Sequence, residues 1–297
     1  MTKPLISVVI GCFNQEHVIK RVLDSFNNQT LPLDQFELIV VDSMSTDSTL
    51  SILESFKANY LFRYIQQENL GKAMARNRGV NEALADLILI TDADMIADRY
   101  LLQAHIDAHE ESGKNSCFEG VTYNMTELHW PPEQQKLYSY IRPNYSHKKS
   151  LGWFYFLTGN ISFPKSVFLA ENGFNSEFKS YGWEDLELGY RLSKKRVPLY
   201  YNKLAINYHY HVVSKDEEIE RNIKKGESAR IFLKLHPELT MFLGLNPLSK
   251  FIFPLIKKES WFYKLFSCFF KSNIFILKSF GFWFLKEWHY MQGILKK

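Results

Sequence analysis

The sequence predicts an α/β fold: a doubly wound, mostly parallel sheet, followed by a helical C-terminal tail. Three observations carry this. Leu5–Ile10 and Ile88–Thr91 are short, largely apolar runs that stop abruptly at polar residues, as strands buried on both faces do, and Phe36–Val41 and Phe62–Ile65 are strand-like segments between them. Helical spacing fills the gaps between them with short connections, which favours parallel pairing through crossover helices. Beyond Lys250 the composition changes to aromatics and lysine, so a different kind of segment begins there.

Taken in order, the first strand breaks at Gly11-Cys12-Phe13-Asn14-Gln15, and a helix over about 16–27 follows, with Val18, Val22, Leu23 and Phe26 at helical spacing. The second strand ends at Asp42. Ser43 to Thr49 is a polar loop that opens a helix reaching Phe56, with Ser or Thr available as its N-cap. A third, shorter strand leads through Asn69-Leu70-Gly71-Lys72 into a helix from Ala73 to Ala85. The fourth strand runs into Asp92-Ala93-Asp94. Later segments read as a helix from Tyr100 to Glu111 and a strand from Ser116 to Tyr123, with Gly120 at a close backbone approach. A loop or helix–loop region spans His129 to Ser150. Thr158 to Phe163 is a strand and Lys165 to Ala170 a short helix after Pro164. A helix begins near Glu184 or Asp185, two strands cover 199–201 and 205–213, and a charged helix spans 215–234.

Ligands of open α/β sheets bind beyond the carboxyl ends of the strands. Acids stand at those ends: Asp42, then Asp92 and Asp94. Two carboxylates so close repel unless a cation sits nearby, although Asp also serves turns and caps. Neither G-x-G-x-x-G nor G-x-x-x-x-G-K-[ST] is present, which excludes dinucleotide and P-loop signatures. Acids suit ribose and base N–H groups, whereas contact with phosphate calls for a cation such as Mg²⁺ or Mn²⁺. In the 205–213 strand, His209 and His211 share one face and are candidate metal ligands; imidazole suits Mn²⁺ or Zn²⁺ better than Mg²⁺. Glu184 and Asp185 lie in the first helical turn, where the dipole favours carboxylates even without a catalytic role. Trp183 beside a loop is a candidate to stack on a sugar face.

In this order the blocks resemble the family 2 glycosyltransferases, which have the nucleotide-sugar-binding GT-A fold. The likeness is carried by Ser7 to Asn14, Val40 to Thr49, Gly71 to Gly79 and Asp92-Ala93-Asp94. Gly182-Trp183-Glu184-Asp185-Leu186-Glu187 is similar to the Trp-Glu-Asp block of galactosyltransferase-like and chondroitin-synthase-like enzymes. The resemblance implies that Asn14, Asp42, Lys72, Arg76, Asp92 and Asp94 bind the donor, with Asp42 on the uracil or ribose. Asp94 and Asp92, completed by His209 or His211, would hold Mn²⁺ or Mg²⁺. Asp185 would be the catalytic base beside Glu184, and Trp183, Gly159 and Asn160 would face the acceptor or sugar. The chain departs from the family pattern at Ser43-Met44, where Asp-Gly or a similar pair is usual. The activity implied is a metal-dependent inverting transfer of sugar from a nucleotide-sugar, a UDP-sugar being favoured, to a hydroxyl of a glycan or lipid-linked glycan in surface polysaccharide synthesis. The alternatives are a sugar nucleotidyltransferase, for which a Gly-rich basic loop after the first strand is missing, and a non-catalytic nucleotide-sugar-binding scaffold.

The expected organisation is a catalytic domain over 1–235 and a basic aromatic tail over 236–297. Within the first, 1–115 would bind the nucleotide-sugar and 116–235 would hold the acceptor and catalytic groups. Lys250 to Lys297 carries nine Lys against Glu259 and Glu287, a charge of +7 in a chain of net +4, so the remainder is −3. Ten Phe and three Trp are interleaved with these lysines, as suits a membrane interface, the alternative being a helical hairpin packed on protein. Nucleic acid is excluded as a partner by a tail without Arg and an acidic body. Three scattered cysteines, no long apolar start and no apolar stretch of about 20 residues predict a cytoplasmic protein, peripheral at the inner face of the cell membrane.

Overall fold

The computed structural model describes residues 3–112, 115–125, 127–128, 136–137, 145–210 and 213–296. Most of the predicted 129–150 loop region, and His211, lie outside the described residues. The chain divides into two compact units, 1–176 with 185–212 and 177–184 with 213–297.

In the first unit β1 (Ile6–Cys12), β2 (Phe36–Asp42), β3 (Leu61–Gln66) and β4 (Leu87–Asp92) are parallel neighbours in the order β3-β2-β1-β4. Every residue of β1 and β2 is buried, which is why these strands are apolar apart from Ser7, Glu37 and the terminal Asp42. The crossovers are α1 (Ile19–Phe26), α2 (Thr49–Ser55) and α3 (Lys72–Glu82). α3 lies close on the sheet: a Cβ at Gly79 would stand 2.4 Å from Val9 Cγ1. The register sets Cys12 opposite Asp42 and Gly11 opposite Asp92, so the three strand ends gather around Gly11 and Cys12.

The other half of the sheet is mixed. After β5 (Met95–Ala97) and α4 (Leu101–Ser112) come β6 (Cys117–Met125), β7 (Lys136–Leu137), β8 (Asn160–Pro164), α5 (Lys165–Ala170), α6 (Glu184–Lys194) and β9 (Leu199–Tyr210). β8 runs antiparallel to β4 and β6, β6 parallel to β9, and β9 antiparallel to β5. The two strands expected over 199–213 are the single strand β9, whose pairing with β6 shifts between Glu119 and Val121. That shift is the close approach at Gly120, where a Cβ would meet Asn160 Nδ2 at 2.3 Å and Ala205 O at 2.5 Å.

A buried carboxylate ties the parallel half together. Glu37 is fully buried on β2; it accepts from Ser7 Oγ (2.5 Å), the Leu84 N–H (2.5 Å) and Arg63 Nη2 (2.8 Å). Leaving any of these groups unpaired would cost about 1–3 kcal/mol.

The second unit is helical: α7 (Lys215–Leu235), α8 (Pro247–Ile252), α9 (Trp261–Lys271) and α10 (Phe275–Leu295). Ser214 and Glu217 form a capping box at the start of α7. α7 and α10 cross with backbones in contact, because a Cβ at Gly226 would lie 2.0 Å from Tyr290 O and one at Gly293 2.1 Å from Ile223 O. This crossing is why α7 belongs with the C-terminal helices and the division falls at 212/213 rather than at the expected 235. Gly281 admits α9 against α10 in the same way, over a core of Ile219, Tyr263, Phe266, Phe284, Leu285 and Trp288. No described helix is long and apolar enough to cross a membrane.

Candidate functional site

Six of the predicted donor residues come together at the parallel strand ends. Asn14, in the left-handed region at φ 52°, links the loops after β1 and β2. Its N–H donates to Ser45 Oγ (2.8 Å), and its Oδ1 accepts the Thr46 N–H (2.8 Å). Asp42 is fully buried, and its two carboxylate oxygens accept the Ser45 N–H and Ser45 hydroxyl. The loop thus closes on Asp42 by an Asx-type turn, a signal legible in Asp followed three residues later by Ser. Met44 sits at φ 54° and is exposed, so a side chain occupies a backbone conformation that favours glycine.

Asp92 and Asp94 divide the work expected of a pair. Asp92 Oδ1 lies 2.7 Å from Arg76 Nη2 and 3.6 Å from Lys72 Nζ, both on α3. Burial pushes its carboxyl up, but Lys72 and Arg76 outweigh that and Asp94, and hold it below the ordinary carboxylate range. Asp94 Oδ2 instead faces His209 Nε2 at 3.3 Å. The strand pairing explains this contact: Met95 of β5 is opposite His209 of β9, and Tyr210 N–H donates to Asp94 O (2.9 Å). The short β5 just beyond Asp94, too brief to read from sequence, is therefore what brings the histidine in.

One carboxylate and one imidazole are a hard–borderline donor set that suits Mn²⁺ better than Mg²⁺, with room for phosphate oxygens and water at the remaining positions. Among the described residues no three His, Cys, Asp or Glu side chains converge into a metal nest.

Asp185 opens the part of α6 that belongs to the first unit, and is half-buried; its Oδ1 accepts the Leu186 N–H (2.8 Å). Sequence reading missed the groups that fix this helix. Arg191 grips Glu187 through Nε and Nη2 (2.9 Å each) and donates to Glu171 O (2.5 Å) and Gly173 O (2.6 Å). Asn77 of α3 holds the same turn, donating to Phe174 O (2.8 Å) and accepting the Phe174 N–H (2.9 Å). The Arg76 guanidinium stands 5.8 Å from the Phe174 ring centre. The 171–174 turn thus joins α3, which carries Lys72 and Arg76, to α6, which carries Asp185. The i,i+4 spacing of Glu187 and Arg191 was the available signal.

The remaining candidates are placed differently. Glu184 is 5% exposed and belongs to the second unit, so of the acid pair Asp185 is the accessible member. Trp183, at φ 73°, packs within the second unit, its ring centre 6.1 Å from Phe232 and 6.3 Å from Tyr290, with Lys225 Nζ at 5.8 Å. Gly159 is buried, and its carbonyl accepts from Thr91 Oγ1 (3.0 Å) and Asn207 Nδ2 (2.6 Å).

Asn160 corrects an expectation: it is fully buried and cannot touch a sugar. Its Nδ2 donates to Val121 O (3.1 Å) and Ala205 O (3.0 Å), and its Oδ1 is 2.9 Å from His105 Nε2. His105 Nδ1 is 2.8 Å from Ser162 Oγ, which is 2.9 Å from His109 Nε2. With both amide protons used, Oδ1 must accept, so His105 is the neutral Nε2–H tautomer. Ser162 then donates to its Nδ1 and accepts from His109. Burial, first of all, lowers the two imidazoles to about 4 and about 3.

The comparisons with known proteins agree with this geometry. The family model for glycosyl transferase family 2 matches residues 7–170, and the model for the N-terminal domain of galactosyltransferase matches 142–215. The validoxylamine A glucosyltransferase of Streptomyces hygroscopicus subsp. jinggangensis is 30% identical over 223 residues, covering 66% of this chain and 53% of that protein. The chain therefore spans about half the length of the curated relatives it first matches. Among solved structures, Staphylococcus aureus TarS 1-349 in complex with UDP superposes with a TM-score of 0.59 at 16% identity, covering 98% of this chain and 90% of the other. The mannosyltransferase PcManGT of Pyrobaculum calidifontis, in complex with GDP-Man and Mn²⁺, gives 0.60 at 16% identity, with 100% and 87% covered. At that identity the likeness is one of fold, and it is the GT-A fold. Strand-end acids, a mixed sheet of this order and a family match across more than half of the sequence converge on one conclusion: the chain belongs to glycosyl transferase family 2.

Proposed function

We propose that this chain is an inverting glycosyltransferase that moves a sugar from a nucleotide-sugar, a UDP-sugar in the first instance, to a hydroxyl of a glycan or lipid-linked glycan acceptor. The observation that carries the reading is the division of labour at the β4 end. Asp92 is neutralised by Arg76 and Lys72, and Asp94 faces His209.

In this reading Asn14, Asp42, Lys72 and Arg76 form the cradle for the nucleoside and its phosphates. Asp42 contributes mainly by holding the 43–46 turn, since both its oxygens are taken by Ser45. Lys72, half-exposed, is the cation best placed to meet phosphate oxygens as charge grows on them. Asp94 with His209, and Asp92 behind them, would hold Mn²⁺ or Mg²⁺, whose role when bound is to neutralise the departing diphosphate. Asp185 takes the proton of the acceptor hydroxyl as the new bond forms, because an alcohol is a poor nucleophile without a positioned base. Attack from the face opposite the leaving group inverts the anomeric carbon, so no second carboxylate nucleophile is required. The place of action would be the inner face of the cell membrane, with surface polysaccharide as the product and the C-terminal helices as the membrane-facing part.

The test is a panel of nucleotide sugars incubated with Mn²⁺, read by release of nucleoside diphosphate and by transfer to glycan acceptors. At least one donor should turn over. Asp185→Asn should keep the affinity for that donor and lose about 10²–10⁴-fold in transfer rate, the usual weight of a general base. Near-normal transfer by Asp185→Asn would remove Asp185 from the role of base, and no turnover of any donor would remove the transferase reading.

A further inference from the structure

The second unit leaves a large apolar surface uncovered. On α9, Trp261, Leu265 and Cys268 are exposed at i, i+4 and i+7, the spacing of one helix face. On α10, Ile276, Phe280 and Trp283 repeat that spacing, and they too are exposed. Exposure is 73% at Trp261 and 76% at Ile276, and Ile274, in the connection between the helices, and Phe275, at the start of α10, are exposed as well. These residues are not spare core. The inward faces of the same helices are filled by Tyr263, Phe266, Phe284 and Trp288, and Gly281 lets the two backbones meet. A surface of this size on a folded chain has a partner.

Charge selects the partner. Lys257, Lys258, Lys264, Lys271 and Lys278 are all exposed in this stretch, and Glu259 is the only acid between 257 and 278. Lys264 and Lys271 border the exposed face of α9, two turns apart. A second copy of the chain would bring its own lysines against these and be repelled. An anionic lipid surface accepts both features, with rings and aliphatic side chains at the acyl boundary and ammonium groups among the headgroups. No described helix is long and apolar enough to cross, so the geometry is that of a hairpin lying in the interface.

We propose that the α9–α10 hairpin docks on anionic phospholipid through the Trp261/Leu265/Cys268 and Ile276/Phe280/Trp283 faces. This deepens the reading of a transferase working at a membrane, and rests on it only for its purpose, not for its chemistry.

Cys268 supplies the probe. It is exposed, whereas Cys12 and Cys117 are buried, and burial raises both thiols, Cys117 to about 12. The full chain labelled at Cys268 with a polarity-sensitive fluorophore is titrated with vesicles of equal parts phosphatidylglycerol and phosphatidylcholine, and with phosphatidylcholine alone. Blue-shifted emission, quenched by brominated lipid, is expected on the anionic vesicles, with affinity about tenfold weaker on the neutral ones and in 1 M salt. Trp261→Ser/Ile276→Ser/Trp283→Ser, changed only at exposed positions, should weaken binding about tenfold or more while nucleoside diphosphate release in solution is unchanged. Equal binding by parent and triple variant overturns the proposal. So does a blue shift that follows protein concentration without vesicles, since that marks self-association. Vesicle binding by a parent that turns over no nucleotide sugar supports this docking surface and sinks the transferase reading instead.

Discussion

Two histidines of the sheet unit each face a polar partner outside their own element, and their surroundings differ. His209 looks at the carboxylate of Asp94 from a half-buried position at the strand ends. His105 looks at the carboxamide of Asn160 from a position with no exposure at all. Beside a carboxylate partner that keeps a little exposure, 12% at the Asp94 side chain, an imidazole can share a cation. Beside a neutral, sealed one, with every donor and acceptor already spoken for, it can only hold elements together. The chemistry of a His–Asx pair is set by exposure and charge rather than by the pairing itself.

The sharpest way to break this comparison is to remove the partner on each side. Asp94→Ala should reduce sugar transfer about 10²–10³-fold, the weight of one group that stabilises developing charge, while thermal stability shifts little. Asn160→Ala should do the reverse. It strands His105 Nε2–H and the carbonyls of Val121 and Ala205, at a cost of about 3 kcal/mol in stability by denaturant unfolding, with donor affinity of the folded protein unchanged. If Asn160→Ala kept its stability and lost donor or acceptor binding, the interior assignment would fail.

Acid titration sharpens the same contrast. In the folded chain His105 and His109 protonate only near pH 4 and 3, whereas unfolded histidine takes its proton near 6.5. Between those values the unfolded state binds more protons, so stability falls with falling pH. The loss runs from about pH 6.5 down to 4 and is on the order of 3 kcal/mol for His105, with none above pH 7. The depressed Asp92 carboxyl acts in a separate, more acid window: its stabilisation is complete above the ordinary carboxylate value and is lost only below it. Unfolding curves at pH 7.5, 6 and 4.5 check the histidine window; stability constant across that range would contradict the neutral, buried network.

The cluster of strand-end acids was legible because Asp42 and Asp92 each close a largely apolar strand. Asp42 and Asp92 end β2 and β4, and the register of parallel strands puts such ends together. What the sequence hid was direction and depth. Gly159-Asn160 reads as a small polar strand start, and nothing local says that the pleat turns the amide inward. β9 read as two strands because residues 202–205 bulge opposite Gly120, with Lys203 and Leu204 exposed in mid-strand. The 171–174 turn, which joins α3 to α6, depends on Asn77 and Arg191, and their partners are long-range or backbone groups without a local signature. The packing of α7 with the C-terminal helices was hidden for a similar reason: Gly226 and Gly293 are single glycines, and only their meeting explains either.

The central claim is that Asp94 and His209 form the cation end of the site. It is tested most directly by calorimetric titration of UDP into the parent, Asp94→Ala and His209→Ala chains, each with and without Mn²⁺. The account predicts that Mn²⁺ tightens UDP binding by about tenfold or more in the parent, a difference of about 1.4 kcal/mol, and leaves both variants unchanged. An equal gain from Mn²⁺ in Asp94→Ala would contradict it.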